Sequence, residues 1–414
     1  MKKVMILLVL IGFLSCKNEP KIVENNIKDD VIFLADDKLE GRQTGTEGEV
    51  LASEYLIKRF KEIGVQPKGT EGFLQSFSFK PKTDPHSEVV FTTNADSTIT
   101  GHNVIGFIDN NAKTTIVIGA HYDHLGFGGE GSLYRGEDKA VHNGADDNAS
   151  GVAVMLNLAS RLKLKNDESK VKDKNNYLFM AFSGEEMGLL GSNYFSKNPT
   201  IDAESINYMI NMDMVGRMKT DSTLAVYGTG TSPMFKQTLK ANNDKFKIVE
   251  NESGVGPSDH TSFYLIDIPV LHFFTGQHED YHKPGDDAKK LNYEGMNLIS
   301  DYIYDIINDL DDNGELAFRK TKNESEETPR FKVGLGVVPD YLYDGKGMRI
   351  DGTREDTPAF AAGLQKGDVV LKLGDSTITD MMSYMRALSV FDNGDEAAIT
   401  VKRGEEKIDT KVQF

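Results

Sequence analysis

The chain has 414 residues and a formal charge of -17, from 64 acidic and 47 basic side chains. Such acidity repels phosphate backbones and anionic headgroups, which argues against nucleic acid as a partner and against adsorption to a membrane by charge. Cys16 is the only cysteine, so internal disulfides and thiolate zinc clusters are excluded, and the length suits two or three domains.

In chain order, Lys2 and Lys3 precede an apolar run from Val4 to Leu14. That run is too short for a bilayer core of ~30 Å and reads as a secretory leader over residues 1–15. Its end, Ser15-Cys16, resembles a bacterial lipoprotein signal. The resemblance implies a lipid on Cys16, a polar tether over 16–26, and an exported protein held in the bacterial cell envelope, in the periplasm or at the outer membrane.

A helix is expected over Glu47–Ile63, after the turn-rich Glu40–Thr46 with Thr46 as N-cap. Apolar runs then read as buried strands at Asn103–Ile108, Thr115–Gly119, Tyr177–Phe182, Thr223–Tyr227 and Pro269–Phe274. Helix-length segments alternate with them: Ser150–Leu162, Met187–Ser196, Pro233–Asn242 and Asn292–Ile307. The charged insert Leu164–Asn176 reads as a solvated loop. Residues 27–312 are therefore expected to form a three-layer α/β/α domain with a mixed, largely parallel central sheet, whose ligands bind beyond the carboxyl ends of the strands. A charged, proline-bearing stretch over 313–330 reads as a linker to a second domain over 331–414.

The strand at Thr115 delivers His121-Tyr122-Asp123 at its end. A ligand histidine needs its second ring nitrogen held, and Asp123 stands ready to do this, directly or through its neighbours. Gly144-Ala145-Asp146-Asp147-Asn148-Ala149-Ser150-Gly151 opens a helix with two acids among small residues. Alone, that motif also suits a capped helix with first-turn acids; functionally, one carboxylate would bridge two cations. In Ser183-Gly184-Glu185-Glu186, adjacency suits one carboxylate on a metal and its neighbour on water. Asp213 ends the segment Asn211-Met212-Asp213, and Tyr281-His282 follows the strand at Pro269. Any one of these motifs has a purely structural explanation. Together, with only nitrogen and oxygen ligand types near strand ends, they point to a paired-metal hydrolase.

The same set of motifs resembles the di-zinc aminopeptidases of peptidase family M28, over about Ile32 to Ile307. The resemblance implies that His121 and Asp213 hold one zinc, Glu186 and His282 the other, and Asp147 bridges them. It selects Asp147 over Asp146, because the family's bridging acid stands three residues before the serine of the Ser-Gly pair. It makes Glu185 the general base and Tyr281 a stabiliser of the oxyanion. Two Zn²⁺ ions and the carboxylates of Asp147, Glu186 and Asp213 leave one positive charge, which a bridging hydroxide would neutralise. The implied activity is removal of N-terminal residues from peptides. The remaining histidines, His86, His102, His124, His142, His260, His272 and His278, are expected in packing, surface or supporting positions instead of as ligands.

In the second domain, Gly334-Leu335-Gly336-Val337 and the run Thr357–Asp375 resemble a PDZ domain, a small β-sandwich or barrel. That implies a groove for a peptide or protein C-terminus, beside a helix from Met381 to Val390. Two other readings compete with the aminopeptidase: a glutaminyl cyclase-like transferase with a single zinc, and a non-catalytic peptide-binding lipoprotein.

Overall fold

The computed structural model describes residues 26–81, 90–92, 98–129, 131–169, 172–321, 333–340, 343, 345–354 and 357–414. The leader, Cys16, the tether up to residue 25, linker positions 322–330 and the first two residues expected of the second domain lie outside the described residues. Among the described residues no helix is long and apolar enough to cross a membrane.

The larger unit is built on one sheet of nine strands: β1 (Gln66–Pro67), β2 (Leu74–Phe79), β3 (Ile99–Ile108), β4 (Thr114–His121), β5 (Asn175–Phe182), β6 (Ile206–Met212), β7 (Thr223–Tyr227), β8 (Lys247–Glu250) and β9 (Val270–Phe274). Their order is β1-β3-β5-β4-β6-β9-β7-β8, with β2 paired to β3. The centre, β5-β4-β6-β9, is parallel, while β3 and β7 join its two sides antiparallel. Strands buried on both faces need largely apolar residues, and positions 116–120 of β4 and 177–182 of β5 supply them. Their side chains alternate between two cores: Ile116, Ile118, Tyr177 and Phe179 enter one, and Val117, Leu178 and Met180 enter the other.

Among the described residues seven α-helices complete this unit: α1 (Ile27–Leu34), α2 (Glu47–Ile63), α3 (Gly151–Glu168), α4 (Leu190–Lys197), α5 (Phe235–Ala241), α6 (His260–Tyr264) and α7 (Tyr293–Asp311). α1, α2, α3, α5 and α7 contribute to the first core, and Phe195 of α4 with Phe263 of α6 to the second. These are the expected three layers. Each fully buried Val, Leu, Ile or Phe contributes about 1.5–3 kcal/mol of transfer free energy, so the layers hold the strand ends in fixed register.

Three local expectations change. Thr46 is the N-cap residue of α2, but its hydroxyl donates to the Gln43 carbonyl at 2.6 Å instead of accepting from the helix. The insert expected as a loop over Leu164–Asn176 is helical to Glu168 and resumes as strand at Asn175, because Asn166 and Asn175 are buried within it. Nor are residues 314–321 free linker. Leu316 enters the first core, the Arg319 amide donates to the Thr231 carbonyl, and the Thr321 amide donates to the Tyr264 hydroxyl.

The C-terminal unit has its own core, from Leu335 to Val412. Its six strands, β10 (Val337–Pro339), β11 (Met348–Thr353), β12 (Val369–Leu373), β13 (Ser376–Thr377), β14 (Glu396–Arg403) and β15 (Glu406–Gln413), pair antiparallel throughout. Two helices accompany them, α8 (Pro358–Ala361) and α9 (Met381–Leu388). Asp380 and Ser383 cap α9 reciprocally.

Candidate metal centre

All five expected ligands lie beyond the carboxyl ends of the parallel strands. His121 is the last residue of β4, Asp213 follows β6, and Glu186 lies four residues past β5. His282 sits in the segment after β9, and Asp147 in the irregular turn before α3. In that turn Asp147 and Asn148 leave the helical region, and the peptide between them is cis. Gly151 permits the approach of α3: a Cβ there would stand 2.4 Å from both the Asn148 side-chain oxygen and the Met212 carbonyl.

The two oxygens of Asp147 face different histidines. Oδ1 is 3.2 Å from His121 Nε2, and Oδ2 is 3.2 Å from His282 Nε2. His121 Nε2 is also 3.3 Å from Asp213 Oδ1, and His282 Nε2 is 3.2 Å from Glu186 Oε2. Donors sharing a tetrahedral zinc at 2.0–2.1 Å are about 3.3 Å apart. All four separations match that edge. Asp147 thus stands between two histidine–carboxylate pairs, each with the spacing of metal donors, a place for which Asp146 is unavailable. Its Oδ1 accepts from the Gly216 amide at 2.6 Å, and its Oδ2 lies 3.2 Å from His278 Nε2.

Residues 103–307 match the sequence profile of Peptidase family M28, and residues 319–414 that of a PDZ domain. All five candidate ligands, from His121 to His282, lie inside the segment that matches Peptidase family M28. A probable leucine aminopeptidase of Trichophyton verrucosum is 34% identical over 178 residues, 40% of this chain and 44% of that protein. The chain spans about half the length of the curated relatives it matches. Among solved structures, the LapA aminopeptidase of Legionella pneumophila aligns with TM-score 0.52 and 21% identity, over 70% of this chain and 72% of that one. A glutaminyl cyclase of Porphyromonas gingivalis aligns with TM-score 0.52 and 17% identity, over 69% and 97%. Both likenesses are of fold alone.

Within this domain the site attracts positive charge. Burial works against charging His121, yet the carboxylates of Asp213 and Glu185 and the contacts to Asp123 and Asp147 hold its imidazole well above the usual range. His282 is likewise disfavoured by burial and raised well above its ordinary value by Glu186 and Asp147. The adjacent glutamates are driven apart. Burial, with Glu186, Asp213 and Asp259 adding to it and His121 opposing, pushes Glu185 well above the carboxylate range. Burial also acts on Glu186, but His282 and His124 outweigh it and bring that carboxyl down to about 2. Neighbouring carboxyls pushed in opposite directions suit a proton carrier beside a ligand. Glu185 Oε2 stands 4.0 Å from His121 Nε2, at the edge of the centre.

The other ring nitrogens of both ligand histidines are held by backbone. His121 Nδ1 is 3.2 Å from the Asp123 carbonyl, and His282 Nδ1 is 2.8 Å from the Gly131 carbonyl. The Asp123 carboxylate faces His121 as well, with Oδ1 3.6 Å from Nδ1, and it also accepts from the Glu185 amide at 3.1 Å, with Oδ2 3.4 Å from the Glu186 amide. Tyr281 stacks its ring on His282, with centroids 3.8 Å apart.

Two supporting residues, Arg42 and Asp286, escaped the sequence reading, and a third, Asp259, follows a glycine-rich loop that could line the substrate pocket. Arg42 is fully buried and donates to the carbonyls of Leu34, Tyr122, Asn143 and Gly144, tying the His121 and Asp147 segments to the N-terminal turn. Asp286 Oδ2 accepts from the amides of Asp146 and Asp147, at 2.9 and 3.0 Å. Asp259 is fully buried, and burial raises its carboxyl to about 7. The only sequence signals were the positions of Arg42 in a turn-rich segment and of Asp286 and Asp259 beside other motifs.

Proposed function

We propose that the M28 domain is a two-metal aminopeptidase that removes N-terminal residues from peptides. The observation that carries this reading is the division of Asp147 between two histidines, each with its own second carboxylate. Zinc, when bound, supplies Lewis acidity that lowers the pKa of a water and polarises the scissile carbonyl. His121, Asp147 and Asp213 would hold one ion, and His282, Asp147 and Glu186 the other. Glu185 takes the proton from the attacking water and delivers it to the leaving amine. Its buried position and elevated affinity for protons suit both halves of that transfer. Tyr281, stacked on His282, is assigned to the oxyanion.

The five-donor arrangement for two ions favours hydrolysis over a single-zinc cyclase, although the fold accommodates both. The retained pair Glu185 and Glu186 weighs against a relict, non-catalytic site. The preference for a free N-terminus rests on the activities of the relatives. Assaying aminoacyl and N-blocked peptide substrates with and without chelator tests it. Chelator-sensitive cleavage restricted to free N-termini is expected; equal cleavage of blocked substrates, or pyroglutamate formation with one tightly held zinc, would overturn it.

We further propose that the PDZ domain takes a peptide C-terminus between β10 and α9, and that the leader directs export with lipidation of Cys16. Both rest on the sequence. Membrane association of the full chain that disappears in Cys16→Ser is the expected result for the anchor.

A further inference from the structure

His124 lies outside the five-ligand set, yet its Nδ1 is 2.6 Å from Glu186 Oε1 and 4.0 Å from Asp147 Oδ2. Neither distance matches the ~3.3 Å edge between two donors on one zinc. The shorter one is a charge-assisted hydrogen bond. His282 faces the opposite oxygen, Glu186 Oε2. The glutamate thus has one oxygen turned to the metal position and the other held by an imidazole.

The tautomer follows from the surroundings. His124 is buried, and its Nε2 has no hydrogen-bond partner among the described residues. A proton on Nδ1 gives the N–H a carboxylate acceptor and leaves only a lone pair unpaired. A proton on Nε2 would strand a buried donor and press a lone pair against the carboxylate. Packing holds the ring in place. It lies edge-on to His282 at 5.8 Å, and a Cβ at position 144 would come within 2.5 Å of its Cγ, so Gly144 makes room for it. The His124 amide donates to the Arg42 carbonyl at 3.3 Å, which fixes its backbone.

We propose that His124 is a positioning residue for one ion only: its Nδ1–H holds Glu186 Oε1 so that Oε2 points to the metal shared with His282. This rests on the two-metal reading. The Asp213 half of the centre has no such support from His124, so loss of the imidazole should weaken the two ions unequally.

The test is titration of the chelator-treated full chain with Co²⁺, followed by absorption, with Zn²⁺ stoichiometry measured by mass spectrometry. His124→Ala should retain the first binding step and weaken the second by roughly 10- to 100-fold. His124→Asn, whose amide N–H can replace Nδ1–H, should recover most of that loss. Equal loss of both ions with a lowered melting temperature would mean a merely structural role and overturn the proposal. Wild-type-like binding by His124→Ala would overturn it too. Failure of the folded His124→Asn to recover the second step would also overturn it, by making His124 a ligand. Binding of a single ion by the wild-type chain would instead overturn the two-metal reading.

Discussion

The two halves of the proposed metal centre are built differently. His121 and Asp213 stand at the ends of adjacent parallel strands, β4 and β6, where the register of a doubly buried sheet places them. Glu186 and His282 stand in irregular segments, and His282 has a left-handed backbone, with φ of 55°. Their positions depend on contacts from outside the sheet: Asp123 on the amides of Glu185 and Glu186, the Gly131 carbonyl on His282, and His124 on Glu186. A sheet end is rigid because moving it disturbs two cores. A loop-borne pair is only as rigid as its supporting hydrogen bonds.

Asp147 joins the halves, so its loss should erase the contrast and have the largest effect. Asp147→Asn is expected to abolish high-affinity binding of both ions and lower kcat/KM by roughly a thousandfold or more, the scale of several kcal/mol of Lewis-acid stabilisation. Metal analysis and kinetics on the same preparation check this. Glu185→Gln should leave both ions bound yet reduce turnover by roughly a hundredfold or more; unchanged turnover would remove Glu185 as the base.

Chelator competition addresses the contrast directly. The ion of the Glu186–His282 half should leave first, giving a species with one zinc per chain, with the two affinities separated by about tenfold or more. Loss of both ions in a single step would break the comparison.

The smallest effect concerns the buried acid behind the centre. Burial raises Asp259 to about 7 from an ordinary 3.8, so between those values the folded chain keeps a proton that the unfolded chain has released. This residue's contribution to the metal-free protein is therefore fully present below about pH 4 and is lost as pH rises through 7. Asp259→Asn, which imitates the protonated form, should flatten the fall in melting temperature over that window. An unchanged slope would assign the pH dependence to other groups.

How far these features were legible in the sequence depended on whether local pattern carried the information. In the sheet centre β4, β5 and β9 could be read because each is an apolar run buried on both faces. β1, β2, β6 and β8 were not, since they are short or carry polar residues along their length, as in Leu-Gln-Ser-Phe-Ser-Phe and Ile-Asn-Tyr-Met-Ile-Asn-Met. Asp123 was placed beside His121, where its carboxylate does lie, but its second set of partners, the amides of Glu185 and Glu186, is some 60 positions away. Arg42 looks like any surface arginine until four backbone carbonyls from distant segments converge on it.

By itself the sequence determined the layered α/β domain, the second domain after it, and the short list of nitrogen and oxygen donors at strand ends, because hydrophobic periodicity and residue chemistry are local properties. The family resemblance already proposed a division of those donors between two positions; only the tertiary structure supplied its physical reason. Asp146 and Asp147 have the same chemistry and adjacent places in the chain. What separates them is that the fold turns one toward Gly216 and His278 and leaves the other between His121 and His282.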